Sequence, residues 1–171
     1  MYIRRFLIRD ADGVCSIIER NLREVNSKDY PGEYIEANVQ SHNRAVIIDR
    51  AKSSHMYVAC EGDIVLGCGA IAGYYGSKEE SILLTIFVLP ELHGKGIGLK
   101  IIRTLEGDEF FKRAKRIEIP ASITACDFYR KLGYEYKGGV RKVDEGGCIR
   151  LEKYKLDQKQ LIEQPSGRNR Y

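Results

Sequence analysis

The stretch TIFVLPELHGKGIGLK, Thr85 to Lys100, constrains the fold more than any other part of the sequence. An apolar run over residues 82–90 leads into a proline-bearing turn. Three glycines follow at alternate positions, Gly94, Gly96 and Gly98, and then Ile101, Ile102 and Leu105 recur on one helical face. The run predicts a strand buried on both faces, and the recurrence predicts an amphipathic helix from Leu99 onward. Glycines let a backbone approach a ligand closely. The first turn of a helix presents unpaired N–H groups at the positive end of its dipole. With Lys95 and Lys100 beside it, the segment predicts an anion site whose natural guest is a phosphate or pyrophosphate.

Two common nucleotide loops fail on spacing. A Walker A loop needs GxxxxGK followed by Ser or Thr, and no stretch supplies it. A dinucleotide fingerprint needs GxGxxG, whereas this segment reads GxGxG with Leu99 at the third glycine's place. It also lies in mid-chain rather than after the first strand.

The rest of the chain places this segment in an α/β domain. Residues 2–9 read as a strand, and Asp10 and Asp12 offer N-caps to a helix carrying Val14, Ile17, Ile18, Leu22 and Val25 on one face. Pro31 is placed to open a second short helix, and residues 41–52 read as a third. From Met56 the period changes: MYVACE and IVLGCGAIA are β-rich runs joined by Glu61-Gly62-Asp63. After the central strand and helix, Gly107 predicts a local kink or a loose turn, RIEIP a short strand, and TACDFYRKL a short helix closed by Gly133. Two last strands are expected near 134–142 and 148–155, around Asp144 to Gly147, before a polar tail at 157–171. The order β-α-α-α-β-β-β-α-β-α-β-β mixes hairpins with one crossover, so the sheet should be mixed and mostly antiparallel, with about seven strands flanked by helices. A chain of 171 residues fits one domain, expected at 1–156, with a core large enough to need no staples.

Composition removes several classes. The apolar run at 82–90 is too short to span a bilayer, so no membrane partner is expected. Arg4, Arg5 and Arg9 interrupt the first apolar stretch, unlike a signal peptide. Five cysteines without a CxxC pair suggest reduced thiols and a cytoplasmic setting. His42, His55 and His93 lie far apart without ligand spacing, so no metal is expected.

The segment His93-Gly94-Lys95-Gly96-Ile97-Gly98 fits [Gln/Arg]-x-x-Gly-x-[Gly/Ala] after a strand, with His93 in the Gln or Arg place. Downstream, ACDFYRKLGY (Ala125 to Tyr134) fits A-x-x-F-Y-x-k-x-G-[F/Y]. Both motifs, with the element order, make the chain resemble the GNAT superfamily of acyl-CoA-dependent N-acyltransferases over roughly residues 2–155. The resemblance implies acetyl-CoA as co-substrate, its pyrophosphate on the N–H groups of residues 94–99 and its pantetheine beside Phe87 and Val88. It implies cofactor-binding roles for Phe87, Val88, His93, Gly94, Lys95, Gly96, Ile97, Gly98 and Leu99, and for Ser122 where many members carry Asn. Tyr129 falls at the general acid's place. Glu80 and Glu33 are candidates for a base, with water as the other route for that proton. Tyr30, Tyr34, Tyr74 and Tyr75 fall in regions that face the acceptor in the family, or else serve sheet and helix packing, and Cys126 reads as a small apolar filler beside the channel.

The implied function is transfer of an acetyl group to a primary amine of a small molecule or peptide by direct attack, and a homodimer is one assembly the resemblance allows. The alternative is a non-catalytic acyl-CoA-binding module. A nucleic-acid partner is a third reading, which the charge distribution disfavours. Residues 1–92 carry 10 basic and 13 acidic side chains, while residues 93–116 carry 7 and 3. Excess positive charge gathered at the glycine segment suits a phosphate-rich co-substrate, and no nucleic-acid partner is expected.

Overall fold

The computed structural model describes residues 1–155, so the tail expected at 157–171 lies outside the described residues. Strand β1 (Tyr2–Arg5) is followed by helices α1 (Ala11–Glu24), α2 (Gly32–Ser41) and α3 (Arg44–Ser53). Strands β2 (His55–Glu61), β3 (Ile64–Gly73) and β4 (Glu80–Val88) form a meander that feeds α4 (Ile97–Glu106). Then come α5 (Glu109–Arg113), β5 (Arg116–Ala121), α6 (Cys126–Arg130), β6 (Glu135–Tyr136) and β7 (Ile149–Tyr154). The seven strands lie in the order β1-β2-β3-β4-β5-β7-β6. Only β4 and β5 run parallel; every other pair is antiparallel. The expected mixed sheet is therefore present, with one short helix, α5, beyond the expected order.

The apolar stripes decide which face each helix covers. Val14, Ile17, Ile18 and Leu22 of α1 join Ile35 and Ile47 over Met56, Val58, Cys68 and Ala70 on one face. Ile101, Ile102 and Leu105 of α4 pack with Leu83, Ile117, Ile119 and Leu151 on the other. Gly69 lets α4 lie this close, because a Cβ there would stand 2.5 Å from the Ile101 side chain.

Several local readings change. Gly107 closes α4, donating its N–H to Arg103, and Asp108 caps a separate α5 through its carboxylate, so of the two readings the turn is present and the kink is not. Asp10 does not cap α1. Its carboxylate takes Arg4 at 2.6 Å and the Leu7 N–H at 2.7 Å, so a cross-element ion pair displaces the local cap. The strand expected at 134–142 shrinks to Glu135–Tyr136, because Gly138 and Gly139 turn the chain at φ 60° and 75°. Strand β4 has a layer on each face, Leu83 and Ile86 toward α4 and Leu84 and Phe87 toward α1, but between its buried residues Ser81, Leu83 and Val88 it is only half-buried.

One charged cluster holds the distal half of the sheet together. The Glu118 side chain, 1% exposed, receives Arg116, Lys137 at 3.0 Å and Arg150 at 3.2 Å. Arg116 also reaches Glu152 at 2.7 Å, tying β5 to β7. Burial alone would raise the Glu118 carboxyl, but hydrogen bonds from Lys137 and Arg116 outweigh it and hold it below the usual carboxylate range. A depressed carboxyl adds stability above its unfolded value, and that stability is lost as pH falls through the folded value. Glu118→Gln is expected to cost about 2 kcal/mol at pH 7, less than an isolated buried pair because Lys137 and Arg150 keep water contact. Thermal melts from pH 7 down to pH 3 check this: the gap between variant and wild type should close as the pH falls.

Candidate active site

The site begins where two strands part. Strands β4 and β5 pair over Glu80–Arg116, Ser81–Ile117 and Ile82–Glu118, while β4 stays with β3 out to Val88. Strand β5 keeps β7 on its other edge along its whole length, and only its first three residues pair with β4. Beyond Ile82 the β5-facing edge of β4 therefore has no strand partner among the described residues, and a wedge opens. At its base the β3–β4 register shifts and Thr85 adopts φ 54°, a conformation costly for a β-branched residue. Two contacts hold that bulge: the Cys68 thiol meets the Thr85 carbonyl, and Arg50 Nη1 donates to Thr85 Oγ1 at 2.7 Å. Burial pushes the Cys68 thiol up to about 12 and the Arg50 guanidinium down.

A cavity of about 460 Å³ fills the wedge. Residues 86–88 of β4 form one wall, His93, Gly94, Gly96, Gly98 and Leu99 a second, and Ser122, Phe128 and Tyr129 a third. Of the residues expected from sequence, Phe87, Val88, His93, Gly94, Gly96, Gly98, Leu99, Ser122 and Tyr129 come together here. Lys95 stands exposed beside the cavity, and the Ile97 side chain is buried in the core under α4. Cys126 does not line it, and its thiol turns to the Ser122 carbonyl.

Helix α4 starts with Ile97, one residue-pair earlier than the spacing suggested, after Gly94 at φ 76° and Gly96 at φ 81°. Only glycine adopts such angles without strain. The first intrahelical bond runs from the Lys100 N–H to Gly96, so the N–H groups of Ile97, Gly98 and Leu99 have no helical partner. The Lys95 N–H is already used by the Leu92 carbonyl, which narrows the expected row of donors.

The β4 wall also differs from expectation. The Phe87 carbonyl faces Gly67 on β3 and its side chain packs against the α1-side core, so Phe87 offers the wedge no carbonyl. The Val88 carbonyl faces the wedge, but Asn21 Nδ2 reaches it at 2.8 Å and His93 Nε2 at 2.9 Å. A carbonyl only accepts, so His93 Nε2 carries its hydrogen.

Tyr129 sits on α6, edge-on to Phe128 and Tyr134 at centroid distances of 5.1 and 6.3 Å. Burial pushes its hydroxyl well above the usual tyrosine range, so it stays protonated through neutral pH. Among the described residues its hydroxyl has no protein partner, yet it is not closed off as the Tyr134 hydroxyl is.

The two candidate bases lie elsewhere. Glu80 sits at the paired start of β4, 3.6 Å from Arg116, and Glu33 is exposed on the first turn of α2; neither lines the cavity. Tyr30 is a strut, accepting from the Ile123 N–H and donating to Gly147, while Tyr34 donates to Gly146. The Tyr74 ring lies beneath Arg116 and Lys137. Sequence reasoning missed Asn21, a polar residue inside the apolar stripe of α1, which was its only signal. Among the described residues no cluster of His, Cys, Asp or Glu could hold a metal ion, and no helix is long and apolar enough to cross a membrane.

Comparison with known proteins follows the same lines. A family model described as an acetyltransferase (GNAT) domain matches residues 52–136, which span β2 to β6 and include the whole glycine segment and α6. No curated protein matches the sequence. Among solved structures, a PaiA N-acetyltransferase from Thermoplasma acidophilum in complex with coenzyme A superposes with a TM-score of 0.75 at 16% identity, over 90% of this chain and 98% of that one. A GCN5-related N-acetyltransferase from Rhodopseudomonas palustris gives 0.73 at 21% identity, over 90% and 94%. An aminoglycoside 6′-N-acetyltransferase complexed with coenzyme A gives 0.66 at 16% identity, over 90% and 97%. At such identities the structures speak for the fold, and the family match speaks for the sequence. The chain belongs to the GNAT superfamily and is an acyltransferase of that type.

Proposed function

We propose that the protein transfers an acetyl group from acetyl-CoA to a primary amine of a small molecule or peptide, by direct attack within a ternary complex. The observation that carries this reading is that one cavity gathers the unpartnered edge of β4, the free N–H groups opening α4, and the Tyr129 hydroxyl. Acyl-CoA supplies an activated acyl group there; the chain supplies placement and proton handling. The N–H groups of Gly94 and of residues 96–99 bind the pyrophosphate, with Lys95 and Lys100 adding charge and Ser122 on the facing wall. The Val88 N–H, on the same edge as its carbonyl, faces the wedge and is aimed where negative charge grows on the thioester oxygen. Tyr129, kept protonated by burial, donates to the departing thiolate.

Among the described residues no carboxylate lines the cavity, so the acceptor loses its ammonium proton to water rather than to Glu80 or Glu33. A panel of primary amines, read by thiol release from acetyl-CoA against pH, tests both points. Release should require an amine, and kcat/KM should rise about tenfold per pH unit up to the acceptor's own ammonium pKa, moving when the acceptor is changed. A plateau at one pH for every acceptor would identify a base on the protein, and Glu80→Gln and Glu33→Gln would then be the variants to compare. Binding of acetyl-CoA with no release for any amine would replace the proposal with a non-catalytic acyl-CoA-binding module.

A further inference from the structure

We infer that Asn21 binds the pantetheine arm of the co-substrate, its side-chain oxygen accepting a hydrogen bond from a pantetheine amide N–H; this rests on the function proposed above. Asn21 is 5% exposed on the face of α1 that carries Val14, Ile17, Ile18 and Leu22. A polar group in such a place must be satisfied or lose stability. Its nitrogen is satisfied twice, by the Ile17 carbonyl and the Val88 carbonyl, each at 2.8 Å. Both partners can only accept, so the nitrogen must face them and the amide cannot be turned over.

The oxygen Oδ1 is thereby fixed in direction, and among the described residues it has no protein partner. It is not sealed in either, since the Tyr134 hydroxyl is the only buried side-chain polar atom without a partner among those residues. Asn21 lines the cavity, so its small exposed part opens there. An acceptor held rigidly in a cavity suits a neutral N–H donor and repels an anion. The phosphates have their own donors at the start of α4, whereas the pantetheine arm, running from them to the thioester, carries two amide N–H groups.

The Val88 carbonyl strengthens the assignment. It projects from the unpartnered edge of β4 into the wedge, where a strand edge would ordinarily offer an acceptor, yet Asn21 and His93 occupy both of its lone pairs. Asn21 removes that acceptor from the β4 wall and presents another from α1. Its partner is a ligand N–H lying between the two walls.

Equilibrium binding of CoA and of adenosine 3′,5′-bisphosphate, which lacks the arm, tests this on wild type and Asn21→Leu. The variant should bind CoA about tenfold more weakly and the bisphosphate within about twofold of wild type. Equal losses for both ligands, or none for CoA, would overturn the inference. CoA analogues with one or the other pantetheine amide replaced by an ester give an arm that needs no variant. One of them should bind wild type about tenfold more weakly than CoA and lose nothing further in Asn21→Leu, the signature of a direct pair. Both ester analogues binding wild type as tightly as CoA would also overturn it. Wild type that binds no CoA at all would instead remove the proposed function on which the inference stands.

Discussion

Tyr129→Phe is expected to lower kcat by about 10²-fold while acetyl-CoA affinity stays within about twofold of wild type. The substitution removes one oxygen and no packing. Because the hydroxyl has no protein partner and opens on the cavity, its loss strands no buried donor or acceptor, and the melting temperature should stay near that of wild type. The ring keeps its edge-on contacts with Phe128 and Tyr134. What disappears is a donor whose pKa burial has raised, so that it still carries its proton when the thiolate departs. Steady-state kinetics over a range of leaving thiols checks the role. The deficit should shrink for a thioester with a more acidic thiol, which needs less protonation. A variant turning over at the wild-type rate would show that another group or water protonates the thiolate.

The second large effect is expected at the glycine loop. Gly96→Val should weaken CoA binding by about 10²-fold and also destabilise the fold by roughly 2 kcal/mol, since a β-branched residue is forced to φ 81°. Among the described residues a Cβ at Gly96 meets no atom within 4 Å, so the new side chain stands in the open space before the α4 N–H groups. Gly98→Ala is the control at an unstrained position of the same loop. Gly98 lies within helical backbone, and its Cβ would stand at ordinary contact distance, 3.4 Å, from the Phe128 ring. The motif itself admits Ala at this place, so that variant should keep both CoA affinity and melting temperature near those of wild type, and a loss confined to Gly96→Val then belongs to position 96. Titration of CoA against each variant, beside its thermal melt, measures the two contributions independently.

These residues were legible in the sequence because their constraints are local. Alternate glycines after an apolar strand have few other uses, and the FYRKLG pattern carries its own helix and stop. What escaped depends on elements distant in sequence. Glu118, in the strand pattern RIEIP, looks solvent-facing, yet β7 and the segment before it bring Arg150 and Lys137 to it. The free edge of β4 was not legible either, since the apolar run does not tell that pairing with β5 ends at Ile82. Asn21 became informative only once the Val88 carbonyl was found opposite it. Glu80, a candidate base by the resemblance, is seated by Arg116 through the parallel pairing with β5 and lies away from the cavity.

The most direct measurement is a crystal structure of the protein grown with CoA. The expected result places the pyrophosphate about 3 Å from the backbone nitrogens of Gly94 and residues 96–99, and the sulfur between the free edge of β4 and the Tyr129 hydroxyl. CoA held at another surface, or a cavity that stays without CoA at saturating concentration, would contradict the assignment of this wedge as the acyl-transfer site.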